Sequence, residues 1–463
     1  MKRVFASIIL IMLVNLVLTG CGSNSSTSTT TMQSQSGNVF VTGEDAPLPS
    51  VVGFDVTINS ITLNGQSNSP QVISTPTTVD FARLLGLRSP LSFNSVPADT
   101  YSSATFVLVK PVISYVDMTQ NPPALNTING TLPQSPYTLT VNFPTPMVVG
   151  SNGLAGLKMD FDIRQSLAVG GNGQVTGVVN PAIYIKATRA SDPDGQVTDL
   201  TGGLVLVNAA GNSFLIQGPY GRQLTIDVDS NTQFNSGWNI NDLATPAIIG
   251  VQGVFQADGS LMASGVEVIT TAQTFISGRV LQITVNGSDQ AQSVTMWVGE
   301  TGADLVSEVD SIQTVDISAV TAYDICFLDG PITAALFNNT SIEVGQRVFV
   351  GGSYVNSTFT SQMVSLRRQG IYGMFVPASV TATSGNAGSF QLSNNGLIGY
   401  AANGPVTVYT GNDTLFFNLT GLGALQADNT AVPLITRGLF LKDPVSGYPA
   451  IFAGLVAAPP QPN

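Results

Sequence analysis

From about residue 37 onward, apolar residues recur at every second position over short stretches and never hold a helical period for long. Tyr137, Leu139, Val141 and Phe143 alternate with polar residues. Leu157, Met159, Phe161 and Ile163 do the same, with Lys158, Asp160, Asp162 and Arg164 on the opposite face. Leu224, Ile226 and Val228 alternate with Thr225, Asp227 and Asp229, and Leu281, Ile283 and Val285 continue the theme. A period of two places one face of a strand inward and the other outward, so these stretches predict half-buried antiparallel strands. Within residues 54–63 the apolar set changes phase, from Phe54, Val56 and Ile58 to Ile61 and Leu63, which predicts a bulge or bend at Asn59-Ser60. One stretch, residues 79–86, suits a helical turn or two.

The turn residues agree with a strand-rich chain. Asn-Gly occurs at Asn64-Gly65, Asn129-Gly130, Asn152-Gly153, Asn172-Gly173, Asn286-Gly287, Asn395-Gly396 and Asn403-Gly404. That pair favours the left-handed backbone of tight hairpins. The 47 glycines and 26 prolines are scattered, as many short strands require. With 43% hydrophobic residues in 463, the chain can bury sizeable cores, and its length suits about three domains.

Charge removes whole classes of function. There are 16 basic against 28 acidic residues. An acidic chain without a basic stripe does not bind nucleic acid, because phosphate neutralisation supplies most of that affinity. Histidine is absent from the sequence. That excludes Ser-His-Asp and Cys-His catalysis and the commonest zinc sites, and leaves only carboxylate or lysine chemistry. The expectation is therefore a chain that is not an enzyme and needs no cofactor. Of the two cysteines, Cys326 lies in the apolar run Ala322-Tyr-Asp-Ile-Cys-Phe-Leu328 and reads as a buried small hydrophobe.

The N-terminus is different in kind. Lys2 and Arg3 precede a 15-residue apolar run over residues 4–18, which is short for a membrane span and contains Asn15. It ends in Leu18-Thr19-Gly20-Cys21. This layout resembles a bacterial lipoprotein signal peptide closed by a lipobox. The resemblance implies cleavage between Gly20 and Cys21, lipid on the Cys21 thiol, and a mature chain of 14 basic and 28 acidic residues, net charge −14. With Gly22 rather than aspartate after the cysteine, it also implies the outer membrane. Residues 22–37 are Ser, Thr, Asn, Gln and little else, the composition of a flexible tether.

Three further motifs carry a resemblance to a bacterial family called Domain of Unknown Function 4382. They are Gly43-Glu-Asp-Ala-Pro47 with Phe54-Asp-Val-Thr-Ile-Asn-Ser-Ile-Thr-Leu63, then Pro97-Ala-Asp-Thr-Tyr101, then Leu157-Lys-Met-Asp-Phe-Asp162 with Val179-Asn-Pro-Ala-Ile183. The family implies an antiparallel sandwich of the transthyretin or carbohydrate-binding kind and no established activity. The remainder is similar to repeated small barrels of Domain of Unknown Function 5666. Gly202-Gly-Leu-Val205 opens the first unit, and Met262-Ala-Ser-Gly-Val-Glu267 closes it. Gly345-Gln-Arg-Val-Phe-Val-Gly351 and Thr436-Arg-Gly-Leu-Phe440 mark the second and third. The expected organisation is all-β: a leader (1–20), a tether (21–37), a sandwich (38–190), and barrels at 191–272, 273–368 and 369–463.

Candidate sites are few. Ser191-Asp-Pro-Asp-Gly195 with Asp199 offers Asp192, Asp194 and Asp199 as half of a calcium loop, although a linker turn is the simpler reading. Asp160 and Asp162 share a strand face, but Lys158 and Arg164 beside them suggest a solvated face with cross-strand ion pairs. Glu300, Asp304, Glu308 and Asp310 read as a solvated acidic insertion. Trp238 and Tyr220, both in turn-like settings, are the candidates for a sugar platform, while Trp297 reads as core. The expected role is a lipid-anchored envelope protein that binds or scaffolds, its partner a glycan or another envelope protein. The alternatives are a carbohydrate-binding accessory lipoprotein and a carboxylate-dependent hydrolase.

Overall fold

The structure is a computed structural model and describes residues 35–463 apart from 47, 121–122, 172–173, 219–220, 236, 327–336, 429, 444 and 459–463. Gly20, Cys21 and Tyr220 lie outside the described residues, as does nearly all of the Ser/Thr-rich segment.

Twelve strands make up the sandwich region, ten in its two sheets and two in a small separate sheet. They are β1 (Ser36–Ala46), β2 (Val51–Gly65), β3 (Gln71–Ile73), β4 (Thr77–Asp80), β5 (Ser89–Pro97), β6 (Asp99–Asp117), β7 (Ala124–Asn129), β8 (Tyr137–Val149), β9 (Leu154–Asp162), β10 (Leu167–Val169), β11 (Val175–Val179) and β12 (Ile183–Thr188). One sheet runs β12-β9-β1-β5, the other β3-β2-β6-β7 with β4 on β2 and β8 on β6. One pair, β1 with β9, runs parallel. The phase change in β2 is a register shift between Ile58 and Ser60, so Phe54, Val56 and Ile58 and then Ile61 and Leu63 are all fully buried. The helical turn is a short 3-10 segment, Ala82–Leu84. Alternation in β9 stops one residue early. Asp162 caps a one-turn helix, α1 (Ile163–Ser166), by accepting the Gln165 N–H at 2.9 Å.

The next three groups of strands repeat one connectivity. The first is β13 (Val197–Asn208), β14 (Ser213–Gln217), β15 (Gln223–Asp227), β16 (Gln233–Phe234), β17 (Ile248–Phe255) and β18 (Leu261–Thr270). Its ladders close a five-stranded ring in the order β13-β14-β15-β18-β17, with β15 and β18 parallel. This is the five-stranded Greek-key barrel typified by OB folds. The second is β19 (Thr274–Val285), β20 (Ala291–Thr301), β21 (Ser311–Asp316), β22 (Ala322–Ile325), β23 (Arg347–Val355) and β24 (Thr358–Arg367). It has the same order, but among the described residues no ladder joins β21 to β24. The third is β25 (Gln369–Phe375), β26 (Thr381–Ser384), β27 (Ala387–Ser393), β28 (Val406–Phe417), β29 (Pro433–Lys442) and β30 (Pro449–Ala457). It closes again as β25-β27-β28-β30-β29, with β28 and β30 parallel. The left-handed turn residue is the asparagine at Asn152 and Asn403, but Asp289 in the turn that begins Asn286-Gly287.

Residues 35–463 form one compact unit, and apolar seams join its parts. Phe255 of the first barrel stacks on Phe40 of the sandwich at 5.2 Å and meets Phe93 at 5.6 Å. Trp297 of the second barrel clusters with Val52 and Val116 of the sandwich and with Leu397 of a short helix, α2 (Leu397–Ala402). Its ring leaves no room for a Cβ at Gly53. Leu439 and Leu441 of β29 belong to the apolar cluster of the second barrel. At Gly370 the first strand of the third barrel runs so close to the Leu85 carbonyl that only glycine fits.

Candidate functional site

The charged residues concentrate where these seams meet. The first concentration lies at the handover from sandwich to barrel. Lys158 on β9 and Lys186 on β12 are direct cross-strand partners, a repulsive arrangement on its own. The turn Pro193–Gly195 places Asp194 between them, 3.2 Å from Lys158 Nζ and 2.6 Å from Lys186 Nζ. Arg88 Nη1 reaches the same carboxylate at 3.3 Å, and Lys158 also pairs with Glu44 at 2.6 Å. The incoming strand is then pinned by backbone. Arg88 N–H donates to Thr198 Oγ1 at 2.9 Å, and the Arg88 carbonyl accepts from the N–H groups of Thr198 and Asp199.

Burial opposes the Asp194 charge, but Lys158 and Lys186 hold its carboxyl down at about 2. Burial and the Glu44 charge push Asp160 up to about 7. Because the folded value for Asp194 lies below that of an unfolded aspartate, its stabilisation is present above about pH 4 and is lost as pH falls towards 2. The expected size is about 2 kcal/mol. Asp194→Asn should therefore lower Tm at pH 6 and flatten the decline in Tm between about pH 4 and pH 2. Parallel Tm–pH curves for the two proteins would contradict this.

The second concentration joins all four groups of strands. Arg347 on β23 forks onto Asp199 on β13, Nη1 to Oδ1 at 3.3 Å and Nη2 to Oδ2 at 3.1 Å. Its Nη2 also lies 3.5 Å from Glu300 Oε2 on β20. Arg83, from the 3-10 turn of the sandwich, reaches Glu300 at 3.6 Å and Asp199 at 3.9 Å. The junction between second and third barrels, Arg367-Arg368-Gln369, is buried rather than looped out. The Arg368 carbonyl accepts from Arg347, Gln369 Oε1 accepts the Arg347 N–H, and Gln369 Nε2 donates to the Gly345 carbonyl at 3.0 Å. Arg367 pairs with Glu267 of the first barrel at 2.8 Å, and Glu267 is 1% exposed. Fork geometry and low exposure make these the strong, charge-assisted kind of contact. Burial opposes the Asp199 charge, yet Arg347, Arg83 and Arg368 hold the carboxyl well below the usual range. Burial raises Glu300, with Arg83 opposing it.

The candidates among the described residues have definite places. Asp192 accepts the Arg189 N–H at 2.9 Å, Asp194 faces two lysines and Arg88, and Asp199 faces Arg347 and Arg83. The three carboxylates are thus spent on separate partners. No group of three or more His, Cys, Asp or Glu able to hold a metal ion occurs among the described residues. The face with Lys158 and Asp160 does carry an ion pair with the neighbouring strand, but it is half-buried rather than solvated, because Arg88 and the Asp194 turn cover it. The acidic insertion differs from expectation at Glu300, whereas Asp304 and Asp310 are exposed. Glu300 is a buried strand residue in the central network, and Asp304 accepts from Thr274 Oγ1. Trp238 is half-buried against the first barrel's core. Trp297 is buried, at a seam between domains rather than inside one. Cys326 is buried with Sγ 3.6 Å from Glu267 Oε2.

Arg347, Arg83, Glu267 and Arg367 were not singled out from sequence. A signal existed in Gln346-Arg347-Val348-Phe349-Val350, where an arginine stands at the head of an apolar strand.

Residues 36–176 match the model of a family described as Domain of unknown function (DUF4382). No curated protein sequence matches the chain. Among solved structures, the chain is similar to one titled drosophila Unr CSD456, at 7% sequence identity over 57% of this chain and 98% of that chain, with a TM-score of 0.13. A likeness of that size carries no argument about fold or function.

Proposed function

We propose that the chain is a lipid-anchored protein of the cell envelope, exported through its leader, held by lipid on Cys21 in the outer membrane, and serving a non-enzymatic structural or binding role through a rigid train of β-domains. The observation that carries this reading is the use made of buried charge. Asp199, Glu300, Arg347 and Arg83 draw together residues of the sandwich and of the first two barrels, and the buried Arg367-Arg368-Gln369 junction adds the third. A catalytic carboxylate must reach substrate, whereas these are tied to arginines inside the protein. The absence of histidine from the sequence points the same way. The three barrels, with their common strand order, are read as units of the Domain of Unknown Function 5666 type.

The anchor is tested by metabolic labelling. Cys21→Ala should abolish incorporation of labelled palmitate and leave an uncleaved precursor. Normal labelling and envelope retention of the variant would refute the assignment.

A further inference from the structure

The seam between the sandwich and the second barrel is filled over part of its length and hollow over the rest. Trp297 and Thr295 lie on one face of β20, where they pair with Ile312 and Thr314 of β21. The indole reaches across to the sandwich and fills the seam at Gly53. Threonine is too short to do the same, and beside it the domains enclose a cavity of about 160 Å³. Val116 of β6 and Leu125 of β7 form its sandwich wall, Leu281 and Ile312 its barrel wall, and Leu397 of α2 completes it. Trp297 belongs to the same apolar cluster as Val116, Leu125, Leu281 and Leu397.

A bulge shapes the barrel wall. The register between β19 and β20 shifts between Val280 and Gln282, leaving Leu281 as the extra residue. Two consecutive residues, Leu281 and Gln282, therefore both line the cavity, which a regular strand would not allow. Gln282 is exposed and Ile312 is 48% exposed, whereas Val116 and Leu397 are 3% exposed each. The cavity thus runs from a mouth at Gln282 and Ile312 to a floor at Val116 and Leu397. No charged side chain lines it among the described residues. Thr295 Oγ1 is already shared with Thr314 Oγ1 at 2.9 Å, so the Gln282 amide is the main polar group offered at the mouth. Protein interiors hold few voids larger than a water molecule. An apolar cavity of about 150 Å³ is large enough to take a benzene ring. β20 and β21 are the second and third strands of this barrel, whose outer face OB barrels use for nucleic-acid and sugar chains. An uncharged aliphatic cavity with room for a single ring suits neither.

We propose that this cavity is a binding site for a small uncharged molecule, its apolar body of benzene-ring size held among Val116, Leu281 and Leu397 and its polar end at the Gln282 amide. An ion is excluded, because it would lose its water there without gaining a partner. The walls come from the sandwich, the second barrel and α2 of the third, so the site exists only while these are docked. Ligand therefore stabilises the docked body. The site stands whether or not the chain is lipid-anchored.

Trp297 reports on occupancy, since it clusters with the cavity floor. The chain has two tryptophans, so Trp238→Phe leaves Trp297 as the sole emitter in the full chain. Benzyl alcohol is titrated near neutral pH, with benzoate and benzylammonium, which put a charge of either sign on the same ring, as comparators. The expected result is a saturable change in Trp297 emission and a rise in Tm with benzyl alcohol, and neither with the two ions. Adding Leu281→Phe fills the cavity and should raise the half-saturating concentration about tenfold or more. Three results would overturn the site: no saturable change with benzyl alcohol, an equal response to either ion, or an unmoved half-saturating concentration in Leu281→Phe. Should Leu281→Phe not fold, Ile312→Phe at the half-exposed mouth must raise that concentration instead, and an unmoved value counts against the site.

Discussion

Arg347→Ala should cost the folded unit about 3–5 kcal/mol, the usual consequence of removing one partner from a buried ion pair. The reason is the charge left behind. Asp199 and Glu300 are each 7% exposed, and Arg83 approaches Asp199 no nearer than 3.9 Å. Without Arg347, the two buried carboxylates lose their nearest arginine and keep Arg83 at 3.9 Å and 3.6 Å, with Arg368 acting on Asp199. The loss should shrink as pH falls below about 4, because acid then protonates Asp199 in the unfolded chain and in the variant, where Arg347 no longer holds its charge. The remedy distinguishes this account from simple loss of packing. Replacing Arg347, Asp199 and Glu300 together by apolar residues of similar volume should recover most of the stability. Urea unfolding of the three proteins measures both effects. A cost below about 1 kcal/mol for Arg347→Ala would mean that the network is a bystander.

Phe161→Ala should cost a similar amount, about 3–5 kcal/mol, by a different route. Phe161 on β9 is fully buried and touches Phe54 at 5.2 Å edge-on and Phe81 at 4.8 Å. Phe81 leads into the 3-10 turn that carries Arg83. Its N–H donates to the Phe54 carbonyl at 2.9 Å. The aromatic trio therefore fixes the position from which Arg83 reaches Asp199 and Glu300. Removing the Phe161 ring should loosen the turn as well as open a cavity, so Phe161→Ala and Arg83→Ala should be non-additive. Strict additivity in a double-mutant cycle would show that the sandwich core and the central network are independent.

Those two positions differ in how far the sequence revealed them. Phe161 was legible, because alternation with Met159 and Leu157 marks an inward face regardless of tertiary context. So was the bulge at Asn59-Ser60, since a change of phase has no other local explanation. The end of β9 was not legible, because Ile163 keeps the alternation while Asp162 caps a helical turn. Asp199 and Glu300 are visible as acidic residues, but the sequence alone suggests a possible ion ligand and a solvated loop. What they face comes from strands more than a hundred residues away or from another domain. Lys158 illustrates the same limit. Its neighbours in sequence suggested a wet face, whereas the Asp194 turn that covers it arrives from the interdomain linker. Period and turn chemistry are local signals, but charge pairing across seams depends on docking.

Buried charge fastens the four groups of strands into one cooperative body. Differential scanning calorimetry of the full chain in detergent at about pH 6 tests it most directly. One transition is expected, with calorimetric and van't Hoff enthalpies in agreement, splitting into separate transitions in Arg347→Ala. Separate transitions already present in the unsubstituted chain, unmoved by Arg347→Ala, would contradict it.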